Sequence, residues 1–277
     1  MKITILNPDT VKELYKNHGE FARICYNTNP GHEESVGRHC AKSGHMSGSR
    51  AEYIKFLIEG ISRGTAEQIM RHEIGTFCPP NEMDNWSFSN RLETWTDINP
   101  NNMVKNCLSF RYVDESGFKY YTPSIIKDSP SAYAIYKSAM AQLDDARSRI
   151  RDILLEDGED KNKVNEEVNA LLPRATTTSL CLGLTPEALI QFCHKRLCVR
   201  AQEEIRNVAK AMKQAVAEYC PSLAEELVPQ CDFLLYCPEN KGCGRAPSKE
   251  AVRAMLKWPS LMASPTFHSH PSLSRTL

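Results

Sequence analysis

The sequence has no excess of either charge: 34 Lys and Arg balance 34 Asp and Glu, and the formal net charge is zero. A neutral chain exerts no long-range pull on DNA, RNA or an anionic membrane, which argues against nucleic acid and lipid as partners. Any anionic ligand must therefore be caught by a local cluster of Arg, Lys and backbone N–H groups. No stretch approaches the ~20 apolar residues that cross a bilayer. There is no internal repeat and no Gly/Ser linker, so one domain is the simplest organisation. The opening MKITILNPDTVKEL turns polar after five residues, too early for the apolar centre of a secretion signal.

What is present is ordinary globular composition, with 41% hydrophobic and 25% charged residues in 277. Eleven cysteines are an odd number, and several lie in apolar segments (Cys25, Cys107, Cys181, Cys193). Without an export signal they read as reduced thiols, and the expected location is the cytoplasm. The run Cys231-x5-Cys237-x5-Cys243 is too widely spaced for zinc-ribbon pairs, which stand two to four apart. Free thiols or a loop-stapling disulfide are expected there, and no metal site.

Local patterns predict an α/β (α+β) fold: a central mixed or antiparallel sheet flanked by long helices. Strands are expected at 2–6, 53–58 (ended by Gly60), 120–126 and 176–184. Helices are expected at 10–25, at 62–71 with Thr65-x-x-Gln68 as a capping box, at 129–155 behind Ser129-Pro130, and onward to 172, where Pro173 stops them. Thr185-Pro186-Glu187 opens another helix that ends near Arg196: a cap, a proline at the first helical position, then an acid at the positive end of the dipole. A last helix spans 201–219. Residues 73–85, rich in Pro and Asn, read as a long loop. The Ser- and Pro-rich last twenty residues read as disordered. The expected division is a domain over 1–246 and a partly disordered tail over 247–277.

Three segments could carry chemistry. Gln68, Arg71 and His72 lie within one turn at a helix end and share a face, with Arg71 offering a planar fork for phosphate. The alternative is that the cations merely suit a helix C-terminus. Ser87, Ser89, Asn90 and Arg91 could hold a phosphate or form a plain turn. Residues 194–206 are dense in cations, and i,i+4 pairing such as Arg200 with Glu204 would make Arg200 and Arg206 a solvated face. Arg196 differs, because it falls at helical spacing from Leu189 and Phe192 and shares their apolar side.

Taken in order, these segments resemble the flavin-dependent thymidylate synthases, over roughly residues 1–246. Ala22-Arg23-Ile24-Cys25-Tyr26 looks like the family's A-R-x-C-Y, and Ser43-Gly44-His45-Met46-Ser47 contains its G-H-x-S. Ile58 to Arg63 looks like I-E-G-V-S-R, and Gln68 to His72 like Q-x-x-R-H. Ser89-Asn90-Arg91 supplies S-x-R, Leu172-Pro173 the L-P, and Arg196 to Arg206 the R-x-x-x-R-A-Q-x-E-I-R. The resemblance implies a fold like that of the thymidylate synthase complementing proteins and a homotetramer with active sites between subunits. It implies transfer of a one-carbon unit from methylenetetrahydrofolate to carbon 5 of dUMP, giving dTMP, with FAD as reductant and NADPH recharging it.

It also implies residue roles. Arg196 matches the Arg that polarises the uracil imide. Gln68, Arg71, Ser89, Asn90 and Arg91 match the dUMP contacts, with Ser87 in place of a Glu. Ser47, Arg71, His72 and Gln191 fall where FAD is bound.

Several positions depart from the pattern. Glu73 replaces the third residue of R-H-R, and Asn169 replaces a dUMP-binding Arg before L-P. Thr185-Pro186-Glu187 replaces an Asn-x-Arg that contacts FAD, whereas Arg50 stands where the family has Glu. Two Arg-to-Glu reversals oppose a dianionic pyrophosphate, and an Arg50–Glu73 ion pair is the expected compensation. Two other outcomes are compatible with these changes: an enzyme that modifies, for example hydroxymethylates, another pyrimidine nucleotide, or a nucleotide-binding protein that has lost FAD and catalysis.

Overall fold

The computed structural model describes residues 1–27, 29–71, 103–108 and 117–262. It falls into two compact units, Met1–Pro229 and Gln230–Leu277. The first is built on a four-stranded antiparallel sheet in the order β1-β2-β4-β3, formed by β1 (Lys2–Ile5), β2 (Ile54–Ser62), β3 (Met103–Cys107) and β4 (Thr177–Leu184). Ile54, Phe56 and Ile58 of β2 and Leu180, Leu182 and Leu184 of β4 alternate onto one face and are fully buried, the period-two pattern of a sheet covered on that side.

The helices of this unit are α1 (Pro8–Lys12), α2 (Leu14–Tyr26), α3 (Glu33–Lys42), α4 (Arg63–Met70), α5 (Ser124–Lys127), α6 (Pro130–Glu156), α7 (Lys161–Val168), α8 (Pro186–Arg196), α9 (Glu203–Ala217) and α10 (Pro221–Glu226). Leu189, Phe192 and Cys193 of α8 meet Ile205, Val208, Ala209, Met212 and Val216 of α9 in the core under the sheet. Both rows follow helical spacing. Among the described residues, no helix is long and apolar enough to cross a membrane.

Several elements differ from expectation for local reasons. The helix expected over 10–25 is broken at Glu13, which caps α1 by donating its N–H to the Asp9 carbonyl. Gly60 does not end β2. It takes φ +71°, a conformation open to glycine, and the register slips between Glu59 and Ile61 as a bulge while the strand runs on to Ser62. The cap of α4 is the Ser62 hydroxyl, which accepts from the Thr65 N–H at 3.1 Å, and not Thr65. At 120–126 only Tyr120 pairs, with Thr176. Pro123 has no N–H for a ladder and leads into α5 instead. The Ser129 and Thr185 caps form as expected.

Helices α2 and α3 approach closely. A Cβ on Gly19 would lie 1.7 Å from the Glu33 carbonyl oxygen, and one on Gly37 would lie 1.9 Å from that of Tyr15. Only glycine fits at either crossing point. The contact brings the segment at 22–26 beside that at 43–48. Between them lies a cleft of about 310 Å³ lined by His18, Phe21, Cys25, Tyr26, Cys40 and His45.

The second unit contains α11 (Gln230–Leu234) and α12 (Lys249–Met262), a bridge between Cys237 and Ser248, and an Arg245–Asp232 pair at 2.6 Å. The expected disorder of the last twenty residues does not hold at their start, because α12 runs to Met262. All cysteines among the described residues are free thiols, and those residues hold no cluster of three or more His, Cys, Asp or Glu suited to a metal.

Candidate functional site

A buried carboxylate on α9 ties two helices of the first unit together. Glu204, 3% exposed, accepts from the Ser62 N–H at 2.6 Å, the Ser62 hydroxyl at 2.5 Å and the Thr65 hydroxyl at 2.7 Å. It thus binds the whole first turn of α4 to the first turn of α9. The i,i+4 reading, which put Glu204 on a solvated face with Arg200, is corrected: Glu204 joins the buried side of α9 beside Ile205 and Val208. Its one sequence signal was the position next to Ile205 in an apolar row.

A second tie lies one turn further along α4. The Gln68 amide donates to the side-chain oxygen of Gln202, the residue that caps α9. Arg71 follows as the exposed C-cap of α4. The Lys105 ammonium of β3 holds that end by donating to the Met70 carbonyl at 2.7 Å. The expected nucleotide contacts Gln68 and Arg71 are therefore placed where α4, α9 and β3 meet.

Arg196 ends α8 on the same side as Leu189 and Phe192, as the spacing predicts. Burial holds its guanidinium below the ordinary arginine pKa, because a charged group removed from water favours losing its proton. His194 nearby is also shifted down by burial. The loop between α8 and α9 is braced by Arg206, whose Nη1 donates to the carbonyls of Val199 at 2.5 Å and Ala201 at 3.4 Å. Arg206 is thus a structural tie and not a solvated cation.

Asn169, expected at the nucleotide, is bonded to an arginine. Its Oδ1 accepts from Arg147 Nη2 at 2.6 Å. Arg147 is the buried residue of α6, 5% exposed. Its guanidinium stacks over the Phe118 ring at 5.6 Å and contacts Asp144 at 3.4 Å. No sequence pattern pointed to Arg147, one of three arginines close together in α6.

On the expected cofactor side, Glu187 lies in the first turn of α8 behind the Thr185 cap, with Gln191 one turn later. Glu187 receives Arg50 in a two-point ion pair, from Nε at 2.7 Å and Nη2 at 3.2 Å. Arg50 belongs to the 3-10 turn Ser47–Ala51. The carboxylate that Arg50 meets is therefore Glu187. The expected partner Glu73 lies outside the described residues, as do His72, Ser87, Ser89, Asn90, Arg91 and the Ser47 side chain.

The Arg50 guanidinium remains half exposed, with donors that can serve an anionic group. The described residues in this way form two groups: Gln68, Arg71 and Gln202 about the end of α4, and Arg50, Glu187 and Gln191 along α8.

Comparisons with known proteins identify the family. The family model for thymidylate synthase complementing protein matches residues 14–222. A flavin-dependent thymidylate synthase of Nitratidesulfovibrio vulgaris is 30% identical over 76% of this chain and 76% of its own length. Proteins of the same name from Clostridium tetani (26% identical, 76% of each chain) and Thermococcus onnurineus (29% identical, 72% of this chain and 69% of its own) are also similar. The match begins at α2 and ends in α10, and so spans α4, α8, α9 and strands β2 to β4: the chain belongs to the thymidylate synthase complementing protein family.

Proposed function

We propose that the chain is a flavin-dependent thymidylate synthase that moves a one-carbon unit from methylenetetrahydrofolate to carbon 5 of dUMP, with FAD bound and NADPH as reductant. The observation that carries this reading is Arg196: a partly buried guanidinium at the end of α8, placed by the core packing of Leu189 and Phe192. A cation withdrawn from water polarises a nearby carbonyl more strongly than a solvated one. Aimed at the uracil imide, it would draw electron density from the ring and ready carbon 5 for attack.

The flavin, when bound, supplies the reducing electrons, and the protein supplies placement and charge. Gln68 and Arg71 would hold the nucleotide at the α4 end, joined there by Ser87, Ser89, Asn90 and Arg91. Arg50, Gln191, Ser47 and His72 would line the cofactor. The assembly proposed is a homotetramer in the cytoplasm. In its support, Ile135, Ile150 and Ile153 of α6 are exposed, leaving apolar surface on a long helix for a second copy to cover.

The test is titration of the purified chain with FAD and dUMP, followed by an assay for dTMP with methylenetetrahydrofolate and NADPH. Yellow protein that converts dUMP supports the proposal. Colourless protein that binds dUMP without turnover would replace it with a nucleotide-binding role. Flavin-loaded protein that ignores dUMP would point to another pyrimidine nucleotide.

A further inference from the structure

A second cleft of the first unit, of about 360 Å³, lies between α3 and α10 and has Tyr15 of α2 in its wall. None of the side chains assigned above to nucleotide or flavin lines it. The volume falls at the lower end of the range for small-molecule sites. Its two helices carry opposite charges. Arg38 and Lys42 stand one turn apart on α3 and share a face, while Glu225 and Glu226 come from α10.

The cationic wall is braced. Arg38 donates from Nε and Nη2 to Glu34 Oε1 at 3.1 and 2.6 Å, and from Nη1 to the Ser222 hydroxyl at 2.5 Å. Its guanidinium lies over the Tyr15 ring at 5.2 Å. Lys42, Glu225 and Glu226 line the same cleft, yet among the described residues they form no ion pair. Tyr15 adds a buried polar group: it is 6% exposed and still reaches the cleft. Its phenol has no hydrogen-bond partner among the described residues. Burial, then Cys220 and Glu226, push the phenol pKa up against an opposing pull from Arg38, so the hydroxyl keeps its proton and remains a donor.

We propose that this cleft binds a free α-amino acid, its carboxylate on Lys42 and Arg38, its ammonium on Glu226 and Glu225, with the Tyr15 phenol as a further donor. A ligand of one sign is disfavoured. A simple anion would meet the two carboxylates, and a simple cation the two bases. A zwitterion satisfies both walls at once through charge-assisted hydrogen bonds. The site is separate from the reaction proposed above and does not depend on it.

The experiment is isothermal titration calorimetry of the purified full chain with glycine, L-serine, L-leucine and L-glutamine in turn, and with acetate and methylamine as single-charge controls. At least one amino acid is expected to bind, and neither control. Lys42→Ala and Glu226→Ala should each weaken that binding about ten- to a hundred-fold, the range for one charge-assisted contact. Tyr15→Phe, which keeps the ring, should weaken it about three- to tenfold. Thermal melting without ligand checks that each variant is folded. Failure of all four amino acids to bind overturns the proposal, as does acetate or methylamine binding as tightly as the best of them. Unchanged affinity in either charge variant does the same.

Discussion

Replacing Glu204 tests the joint on which the α4 end of the site depends. Its carboxylate accepts three hydrogen bonds inside the core, at 2.5 to 2.7 Å. In Glu204→Ala the two hydroxyls can rotate to other acceptors, but the Ser62 N–H is fixed by the backbone at the end of β2. One buried donor left unsatisfied costs about 1–3 kcal/mol, and the lost bonds to a charged acceptor add to that. With the void left by the side chain, the expected total is about 3–5 kcal/mol. Glu204→Gln keeps the shape and one carbonyl oxygen, so Ser62 N–H stays paired. Its amide then faces two hydroxyl oxygens and reverses those bonds. Because the Ser62 hydroxyl already accepts from Thr65 N–H, its own hydrogen is displaced, at about 1–2 kcal/mol.

Urea unfolding at fixed protein concentration measures both variants, the concentration being held because assembly shifts the apparent stability. The expected order is parent, then Gln, then Ala. Equal losses for Gln and Ala would mean that packing and not hydrogen-bond geometry holds the joint. A loss below about 0.5 kcal/mol for Ala, the level of an ordinary surface change, would refute the reasoning entirely. The functional consequence follows the geometry: Gln202 and Gln68 sit one turn from the joint, so Glu204→Gln should raise the KM for dUMP more than it lowers kcat.

Three further outcomes are expected. Arg196→Ala should lose at least about a hundredfold in kcat, the scale for one charge-stabilising donor, with an unchanged circular dichroism spectrum, and full activity would remove the catalytic assignment. Burial pushes the Cys193 thiol up to about 12, so in folded protein at pH 8 iodoacetamide should label the exposed Cys25 and Cys181 and spare Cys193, as peptide mass spectrometry can show. Burial also lowers the pKa of His18 and His194. The unfolded chain therefore binds more protons than the folded one as pH falls through the ordinary histidine value of ~6.5. Stability should drop across that window, and His18→Gln should flatten the drop if His18 contributes.

The elements marked by local chemistry were legible in the sequence. Thr185-Pro186 and Ser129-Pro130 announce α8 and α6 because a cap and a proline act on the backbone within one turn. The alternation in β2 and the spacing in α9 reflect burial on one side, which any neighbour of apolar character would impose. The failures have the opposite character. Gly60 reads as a terminator until the strand across from it supplies partners on both sides of the bulge. Residues 120–126 have strand composition, and only Pro123 and the carboxylate of Glu203 bonded to Ser124 explain why α5 begins there.

For the site, single residues were legible and their partners were not. Arg196 could be placed on the apolar side of its helix from spacing alone, and its depressed pKa agrees. Arg50 could be seen to carry the wrong charge for its position, yet nothing in the order of residues distinguishes Glu73 from Glu187 as its complement, since both are acids where a base is expected. The sheet and α8 bring residue 187 to the turn at 47–51, where it pairs with Arg50, while Glu73 lies outside the described residues. The same holds for Arg147 and Asn169, whose contact depends on how α6 and α7 lie together. An arginine in a polar helix is read as solvent-facing because cations seldom pass into a core without partners. Here the aromatic face of Phe118 and two side-chain oxygens supply those partners. Charge changes that look disabling one position at a time are better judged in pairs, and the pairs are a property of the fold.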